Sequence, residues 1–141
     1  PERKAMHIND PKFWNEVELD AELRRQFDVC HSCRRCFNLC DSFPKLFDLI
    51  DEAPSMELDT VDSSNFKNVV DACTLCDMCF MVSCPYVPPH EFAIDIPSIF
   101  IRYKALENKI DVNKLIEWFI LNYPNSSRKL QKNPDFQYNI M

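Results

Sequence analysis

All eight cysteines of this chain of 141 residues lie in two short tracts. The first tract, residues 30–40, has the spacing C-x2-C-x2-C-x3-C, and the second, residues 73–84, has the spacing C-x2-C-x2-C-x4-C and is followed by proline. Three cysteines at x2 spacing let one turn of backbone present three thiolates to adjacent corners of an iron–sulfur cubane. The sequence therefore predicts two [4Fe–4S] clusters.

The last cysteine of each tract is expected to bind the cluster of the other tract. Cys40 lies four residues beyond Cys36, so we expect it one turn into a following helix, pointing away from the first three cysteines. In two-cluster ferredoxins the corresponding residue ligates the other cluster. The predicted ligand sets are Cys30, Cys33, Cys36 and Cys84 for the first cluster, and Cys73, Cys76, Cys79 and Cys40 for the second.

Two other uses of these cysteines fit the spacing less well. Zinc sites usually combine ligand pairs from separate units, whereas each tract here places three thiols in seven residues. Disulfides are awkward at x2 spacing and are rare where thiols are kept reduced. The first residues carry no apolar segment of a secretory signal, so we expect a cytoplasmic location. A zinc-stabilised interaction module and a structural or redox-sensing cluster protein remain as alternatives to electron transfer.

The remaining composition argues against several other functions. The formal charge is -6, and no segment combines basic clusters with aromatic residues, so a nucleic-acid partner is not expected. The chain has no glycine, which rules out a Rossmann fingerprint and argues against NAD or FAD binding. No apolar run approaches the length of a membrane span, so membrane contact is expected only peripherally, through a partner. No catalytic acid–base or hydrolytic constellation emerges.

The absence of glycine also bears on the fold. Without glycine, and with ten prolines, helices joined by short turns are favoured over a barrel or sandwich. We expect a mainly α fold with little or no sheet, whose left-handed positions are taken by Asn, Asp and Ser.

Apolar spacing predicts helices around both tracts. A helix capped by Asp20 is expected to lead to the first tract, a second opens at Pro44, and a third, capped by Ser63 or Ser64, leads to the second tract. Residues 53–62 between the last two are predicted to be a loop. The predicted apolar stripes are, in chain order, Leu19, Leu23 and Phe27; Phe43, Leu46, Phe47 and Ile50; and Phe66, Val69 and Val70.

The C-terminal part is predicted to be helical after a rigid, extended stretch at residues 85–90. One helix is expected from Pro97, and another from Asp111 that carries Trp118 and could dock a partner. The predicted organisation is an N-terminal arm (1–16), a two-cluster domain (17–110), a C-terminal helix (111–123) and a polar tail (124–141).

Several residues near the cysteines are candidates for modulating the clusters. The basic residues His31, Arg34 and Arg35 could donate to sulfur, meet a partner or lie in solvent, whereas His90 is expected to make a structural hydrogen bond. Apolar residues between the ligands are expected to exclude water; they are Phe37, Leu39, Phe80, Met81 and Val82.

Three segments carry a resemblance to a known family: residues 36–40 (CFNLC), 43–48 (FPKLFD) and 84–91 (CPYVPPHE). Together with the 32 residues that separate the tracts (41–72), they resemble the α-helical ferredoxin domain of the C subunits of heterodisulfide reductase and anaerobic glycerol-3-phosphate dehydrogenase. Succinate dehydrogenase and fumarate reductase contain a related domain. The resemblance is closest to bacterial iron–sulfur oxidoreductases related to heterodisulfide reductase, and it covers roughly residues 12–107.

The resemblance implies an electron-transfer subunit that works between a flavoprotein dehydrogenase and a downstream acceptor, such as a CCG module, a quinone site or another carrier. The chain departs from the family in three ways. Asp41 stands where ferredoxins usually have proline, and the x4 spacing predicts a bulge near Val82 and Ser83. No adjacent pair of cysteines is present, so disulfide reduction by this chain alone is not expected.

Overall fold

The computed structural model of the chain describes residues 1–122, except for the side chains of residues 110–113, 115, 116, 118 and 119. Its α-helices are α1 (Glu16–Cys33), α2 (Ser42–Asp51), α3 (Phe66–Asp71) and α4 (Ile96–Asn122). No strand occurs in the described part, so the predicted mainly α fold is confirmed. No helix in the described part is both long enough and apolar enough to cross a membrane.

Contacts along the chain define two compact units, Pro1–Tyr103 and Lys104–Met141. The first contains all eight cysteines and the core described below. The described part of the second is helical up to Asn122. The side chain of Trp118 and the predicted tail (124–141) lie outside the described residues, so the docking role expected of residues 111–123 stays a prediction.

Helix α1 begins earlier than the sequence pattern indicated. The Asn15 side chain accepts a hydrogen bond from the backbone N–H of Glu18 at 3.1 Å and caps the helix. The predicted cap, Asp20, lies inside the helix, so that prediction is wrong. The helix continues through the first two cysteines and ends at Cys33. Its C-cap, Arg34, adopts a left-handed conformation with φ of 51°.

The core is built on the predicted face of α1. Leu19, Leu23 and Phe27 are all buried, as their spacing indicated. The Phe27 ring packs edge-on against Phe66 of α3, at 5.1 Å between centroids, and against Phe100 in the first turns of α4, at 5.9 Å. These contacts join three helices through one fully buried aromatic side chain.

Helix α2 follows the prediction closely. Pro44 lies in its first turn, where a missing backbone N–H costs no helical hydrogen bond. The Ser42 hydroxyl donates to the carbonyl of Val69 at 2.7 Å and ties α2 to α3. The predicted stripe is buried throughout; its members are Phe43, Leu46, Phe47 and Ile50.

The segment that precedes α3 is irregular, as predicted for residues 53–62, and contains one short 3-10 turn, Leu58–Thr60. Arg24 of α1 holds this segment by donating to the carbonyls of Leu58 and Val61, at 3.1 and 2.8 Å. The N-cap of α3 is Asn65, without a side-chain capping bond, so the prediction of Ser63 or Ser64 is wrong. Asp62 caps the turn that precedes α3, because its carboxylate accepts from the N–H of Ser64 at 2.8 Å. The predicted cap residues instead belong to a 3-10 turn, Ser63–Asn65.

The second tract contains a single π-helical turn, Cys79–Ser83. Its hydrogen bond runs from the N–H of Cys84 to the carbonyl of Cys79 at 2.8 Å, a span of five residues. This turn accommodates the extra residue of the x4 spacing, so the bulge predicted near Val82 and Ser83 is confirmed.

Residues 85–92 form successive turns, so the predicted extended stretch is wrong. The N–H of His90 donates to the carbonyl of Val87 at 3.0 Å, which closes one of these turns. The Nδ1 atom of His90 accepts from the N–H of Phe92 at 3.0 Å, which confirms the expected structural hydrogen bond. Turns form here because the backbone N–H groups of His90 and Phe92 find a carbonyl and an imidazole acceptor within the segment.

Helix α4 has the predicted opening but not the predicted end. Pro97 lies in its first turn, and Asp95 accepts from the N–H of Ser98 at 3.1 Å. The helix then runs without interruption to Asn122, so the separate helix predicted from Asp111 is wrong. Continuation costs little there because no glycine or proline falls at the expected junction.

The left-handed backbone positions differ from those expected. Five residues in the described chain have positive φ, and they are Arg34, Met56, Leu75, Asp77 and Ala93. Only the aspartate belongs to the residue types predicted for such positions. The prediction is wrong for the other four because the closing turns and helix ends, rather than local side-chain preference, determine these conformations.

Candidate metal centres

The first candidate site is a cavity lined by four cysteines from both tracts, which are Cys30, Cys33, Cys36 and Cys84. Helix α1 supplies the first two, the turn after α1 supplies the third, and the end of the π turn supplies the last. Phe43, Phe47 and Ile94 contribute apolar walls. The four cysteines are the set predicted for one cluster.

The second candidate site is a cavity lined by the other four cysteines, which are Cys40, Cys73, Cys76 and Cys79. Cys40 lies just before α2, so its expected place one turn into a helix is wrong. The turns of residues 35–39 separate it from Cys36 instead. It nevertheless lines the cavity of the second tract, as the predicted exchange between tracts requires.

A third cavity adjoins both sets. Cys30, Cys36 and Cys84 line it together with Cys79 of the other set. The remaining lining is apolar and consists of Phe43, Phe80, Val87, Ile94 and Ile96. The two groups of cysteines therefore lie side by side, with apolar side chains around them.

No disulfide joins any of the eight cysteines, all of which lie in the described part of the chain. The cavities of the two sets each have a volume of about 20 Å³, close to the space of one water molecule. Within the described residues, no three His, Cys, Asp or Glu side chains are grouped so that they could hold a metal ion. Four thiols line each cavity, which is the donor chemistry of a [4Fe–4S] site, and the clusters themselves stay a prediction.

Burial keeps several of these thiols protonated in the metal-free chain. Desolvation raises the pKa of Cys79 to about 12 and also raises the pKa of Cys30, Cys36 and Cys84. Neighbouring cysteines contribute in the same direction. Because only a thiolate ligates iron, a bound cation has to supply the positive charge that stabilises these sulfurs.

Cys76 is the exposed member of the eight cysteines, whereas Cys36 is buried. The two neighbours of Cys76, Leu75 and Asp77, both have left-handed backbone conformations, with φ of 57° and 68°. The N–H of Leu75 donates to the Cys73 sulfur at 3.3 Å. This backbone geometry directs one corner of the second site towards solvent.

The N-terminal arm contacts the second tract through Arg3. Its guanidinium donates to Asp77 at 3.0 Å and to Asp95 at 2.8 Å. It also lies 4.0 Å from the centroid of the Phe80 ring, a cation–π contact. Arg3 thus joins the arm, the second tract and the residue that caps α4. No local signal in the sequence indicated this contact.

The apolar residues between the ligands are mostly exposed, contrary to expectation. Phe80 is buried, but Phe37 is 49% and Val82 72% exposed, and Leu39 and Met81 are exposed as well. A position between two ligands faces inward only if its turn directs it there, and the spacing does not determine this. Apart from Phe80 and Leu39, the apolar walls come from residues outside the tracts. Among them are Ile94 and Ile96, whose short alternation before Pro97 is the available signal in the sequence.

The basic residues of the first tract mainly contact carboxylates. Arg34 pairs with Asp51, with its Nη1 donating at 2.8 Å, and His31 Nε2 lies 3.3 Å from a Glu57 oxygen. Arg35 is exposed and contributes to the lining of the first cavity. Of the three, only Arg35 is placed along a cysteine cavity.

A larger cavity of about 360 Å³ lies between the N-terminal arm, α1 and the start of α4. Its charged residues are largely paired within the protein. Asp95 accepts from Arg3 and Ser98, and Arg102 donates to the backbone carbonyls of Lys12 and Phe13. It contains no cysteine, and it offers no arrangement of groups that suggests chemistry.

Comparison of the chain with protein-family models, with curated proteins and with solved structures finds no match. The likeness to α-helical ferredoxin domains therefore rests on the cysteine spacing and the three sequence segments that carry it.

Proposed function

We propose that the chain is an α-helical ferredoxin, a module that carries single electrons through two [4Fe–4S] clusters. The observation that carries this proposal is the division of the eight cysteines between two cavities. Each cavity is lined by one of the two sets of four that the spacing predicts. Four thiolates are the ligand complement of such a cluster, and no cysteine is left over. When bound, each cluster would supply reversible one-electron chemistry.

The residues between the two sites support transfer from one to the other. Cys36 of the first set and Cys79 of the second line a common cavity, so their sulfurs belong to adjacent sites. Phe43 and Phe80 contribute apolar walls there and are both buried. Apolar surroundings lower the local dielectric constant and limit the access of water. Both effects change the reduction potential of an iron–sulfur cluster.

The exposure of Cys76 supports the second site as the place where a partner exchanges electrons. Leu75 and Met78 beside it are 37% and 45% exposed, so the surface there is partly apolar. The net charge of -6 favours a partner with a basic surface. In the proposed role the donor is a flavoprotein dehydrogenase and the acceptor a CCG-type subunit, a quinone site or another carrier.

Anaerobic purification followed by iron and sulfide analysis tests the proposal. About eight irons and eight sulfides per chain are expected for two cubanes. A zinc-stabilised module would instead contain about two zinc ions and no sulfide. Zinc in place of iron in protein isolated without oxygen would refute the proposed function.

Redox cycling distinguishes electron transfer from sensing. An electron carrier should be reduced and reoxidised with its helical circular-dichroism spectrum unchanged, because its fold must survive each turnover. A sensor should change its fold or its affinity for a partner when the redox state changes. Loss of helical signal on one-electron reduction would therefore favour sensing.

A further inference from the structure

The π turn Cys79–Ser83 directs particular side chains inward. Phe80 is 3% exposed, whereas Met81 and Val82 are 56% and 72% exposed. Ser83 is half-buried, at the end of the turn and directly before Cys84. The extra residue of the x4 spacing thus adds an inward-facing hydroxyl beside a predicted ligand.

That hydroxyl contacts the first tract. The Oγ atom of Ser83 lies 3.3 Å from the sulfur of Cys36, across 47 residues of sequence. Cys36 is the buried cysteine of the eight and lines the first cavity together with Cys84. One turn of backbone therefore contributes to the first site both a ligand and a polar contact to another ligand.

The direction of this hydrogen bond depends on the state of Cys36. Either atom can donate when the cysteine carries its proton. A cysteine bound to iron is a thiolate and can only accept, so the Ser83 hydroxyl must then be the donor. A donor to a ligand sulfur stabilises negative charge, and reduction of a cluster adds negative charge to its ligands.

We propose that Ser83 is a positioning residue that raises the reduction potential of the first cluster by donating its hydroxyl to the Cys36 sulfur. This inference rests on the proposed function and adds to it a specific residue that makes the two clusters unequal. The donor belongs to the second tract and acts on the first site, as does its neighbour Cys84. The x4 spacing then has a functional consequence, because its extra residue is accommodated in the turn that presents this hydroxyl.

The variants Ser83→Thr and Ser83→Val test the hydroxyl directly, since their side chains have nearly the same shape and differ in that group. In reconstituted protein, the first-cluster potential is expected to be more negative in Ser83→Val than in Ser83→Thr, with the second-cluster potential unchanged. Ser32→Ala is the matched control, because Ser32 lies beside Cys33 but donates to the carbonyl of Asp28 at 2.9 Å. The readouts are a potentiometric titration followed by electron paramagnetic resonance, and the shift of Fe–S(Cys) Raman bands between H₂O and D₂O.

The outcomes separate this inference from the proposed function. Failure of the wild-type chain to bind iron and sulfide refutes the function and the inference together. Equal first-cluster potentials in the loaded Thr and Val variants overturn the inference alone, as does an equal shift in Ser32→Ala. If Ser83→Val does not assemble clusters, the Raman bands decide: an isotope shift in wild type and Ser83→Thr supports the donor, and its absence overturns it.

Discussion

Cys84, the last cysteine of the second tract, lines the same cavity as Cys30, the first cysteine of the first tract. The reciprocal relation holds for Cys40, which lines the cavity of the second tract. Each site is therefore completed by a residue from the other half of the sequence. Because both sites need both tracts, cluster assembly and packing of the core should be coupled.

This exchange predicts which cluster each substitution affects. Cys84→Ser should alter the first cluster and give the same spectra as Cys33→Ser, because both residues line the first cavity. Cys40→Ser should resemble Cys76→Ser, because both line the second. Mössbauer and electron paramagnetic resonance spectra of the four reconstituted variants measure this. If Cys40→Ser resembled Cys33→Ser instead, each tract would hold its own cluster.

The division of the cysteines between the two cavities agrees with the sets that local spacing predicts, and their role as ligands stays a prediction. A cysteine four residues beyond a triplet, as Cys40 is beyond Cys36, is poorly placed to join that triplet. The surroundings of the sites could not be predicted in the same way. Arg3 reaches Asp77 across 74 residues, and such a pairing has no local signature.

For the helices, too, local features could be predicted from the sequence and others could not. The spacing of Leu19, Leu23 and Phe27 predicts a buried face, because helical periodicity is a local property. The start of α1 was missed because Asn15 and Asp20 are both good capping residues. Asn15 is the cap because its carboxamide oxygen accepts from the N–H of Glu18.

The core prediction can be tested at Phe27. Its ring is fully buried between Phe66 and Phe100, so Phe27→Ala should lower the free energy of unfolding by about 3–5 kcal/mol. Phe37→Ala is the control, because that ring is 49% exposed, and it should cost about 1 kcal/mol or less. Urea denaturation followed by circular dichroism compares the variants. Equal losses would show that Phe27 does not occupy the core as described.

The hydrogen bonds of Glu22 lead us to predict that the folded state loses stability as the pH becomes acidic. A hydrogen bond from Arg25, with a further one from Gln26, lowers the pKa of the Glu22 carboxyl. The ionised Glu22 carboxylate therefore stabilises the fold fully at a pH above its unfolded-state pKa of about 4.3. This stabilisation is lost as the pH falls through the lower pKa of the folded state. Wild type should exceed Glu22→Gln in melting temperature at about pH 6, and the difference should shrink by about pH 3. A difference that stays constant with pH would contradict the prediction.

The contacts of Arg3 lead us to predict that the N-terminal arm stabilises the backbone of the second tract. Its contacts to Asp77, Asp95 and Phe80 are partly exposed, so Arg3→Gln should cost about 1–2 kcal/mol. The loss of stability should be concentrated in the π turn, since Asp77 lies just before it and Phe80 lies within it. Hydrogen exchange of the Cys84 amide, which closes that turn, should therefore accelerate by roughly fivefold or more.

A matched control separates this local effect from a general loss of charge pairing. Lys67→Gln removes a cation that pairs with Asp71 within α3, and it should leave exchange at Cys84 unchanged. If both variants accelerated that exchange equally, the arm would have no specific hold on the tract. If only Arg3→Gln did so, the arm would stabilise the backbone that carries Cys79 and Cys84. Because those cysteines belong to different sites, loosening this one turn should weaken iron retention at both.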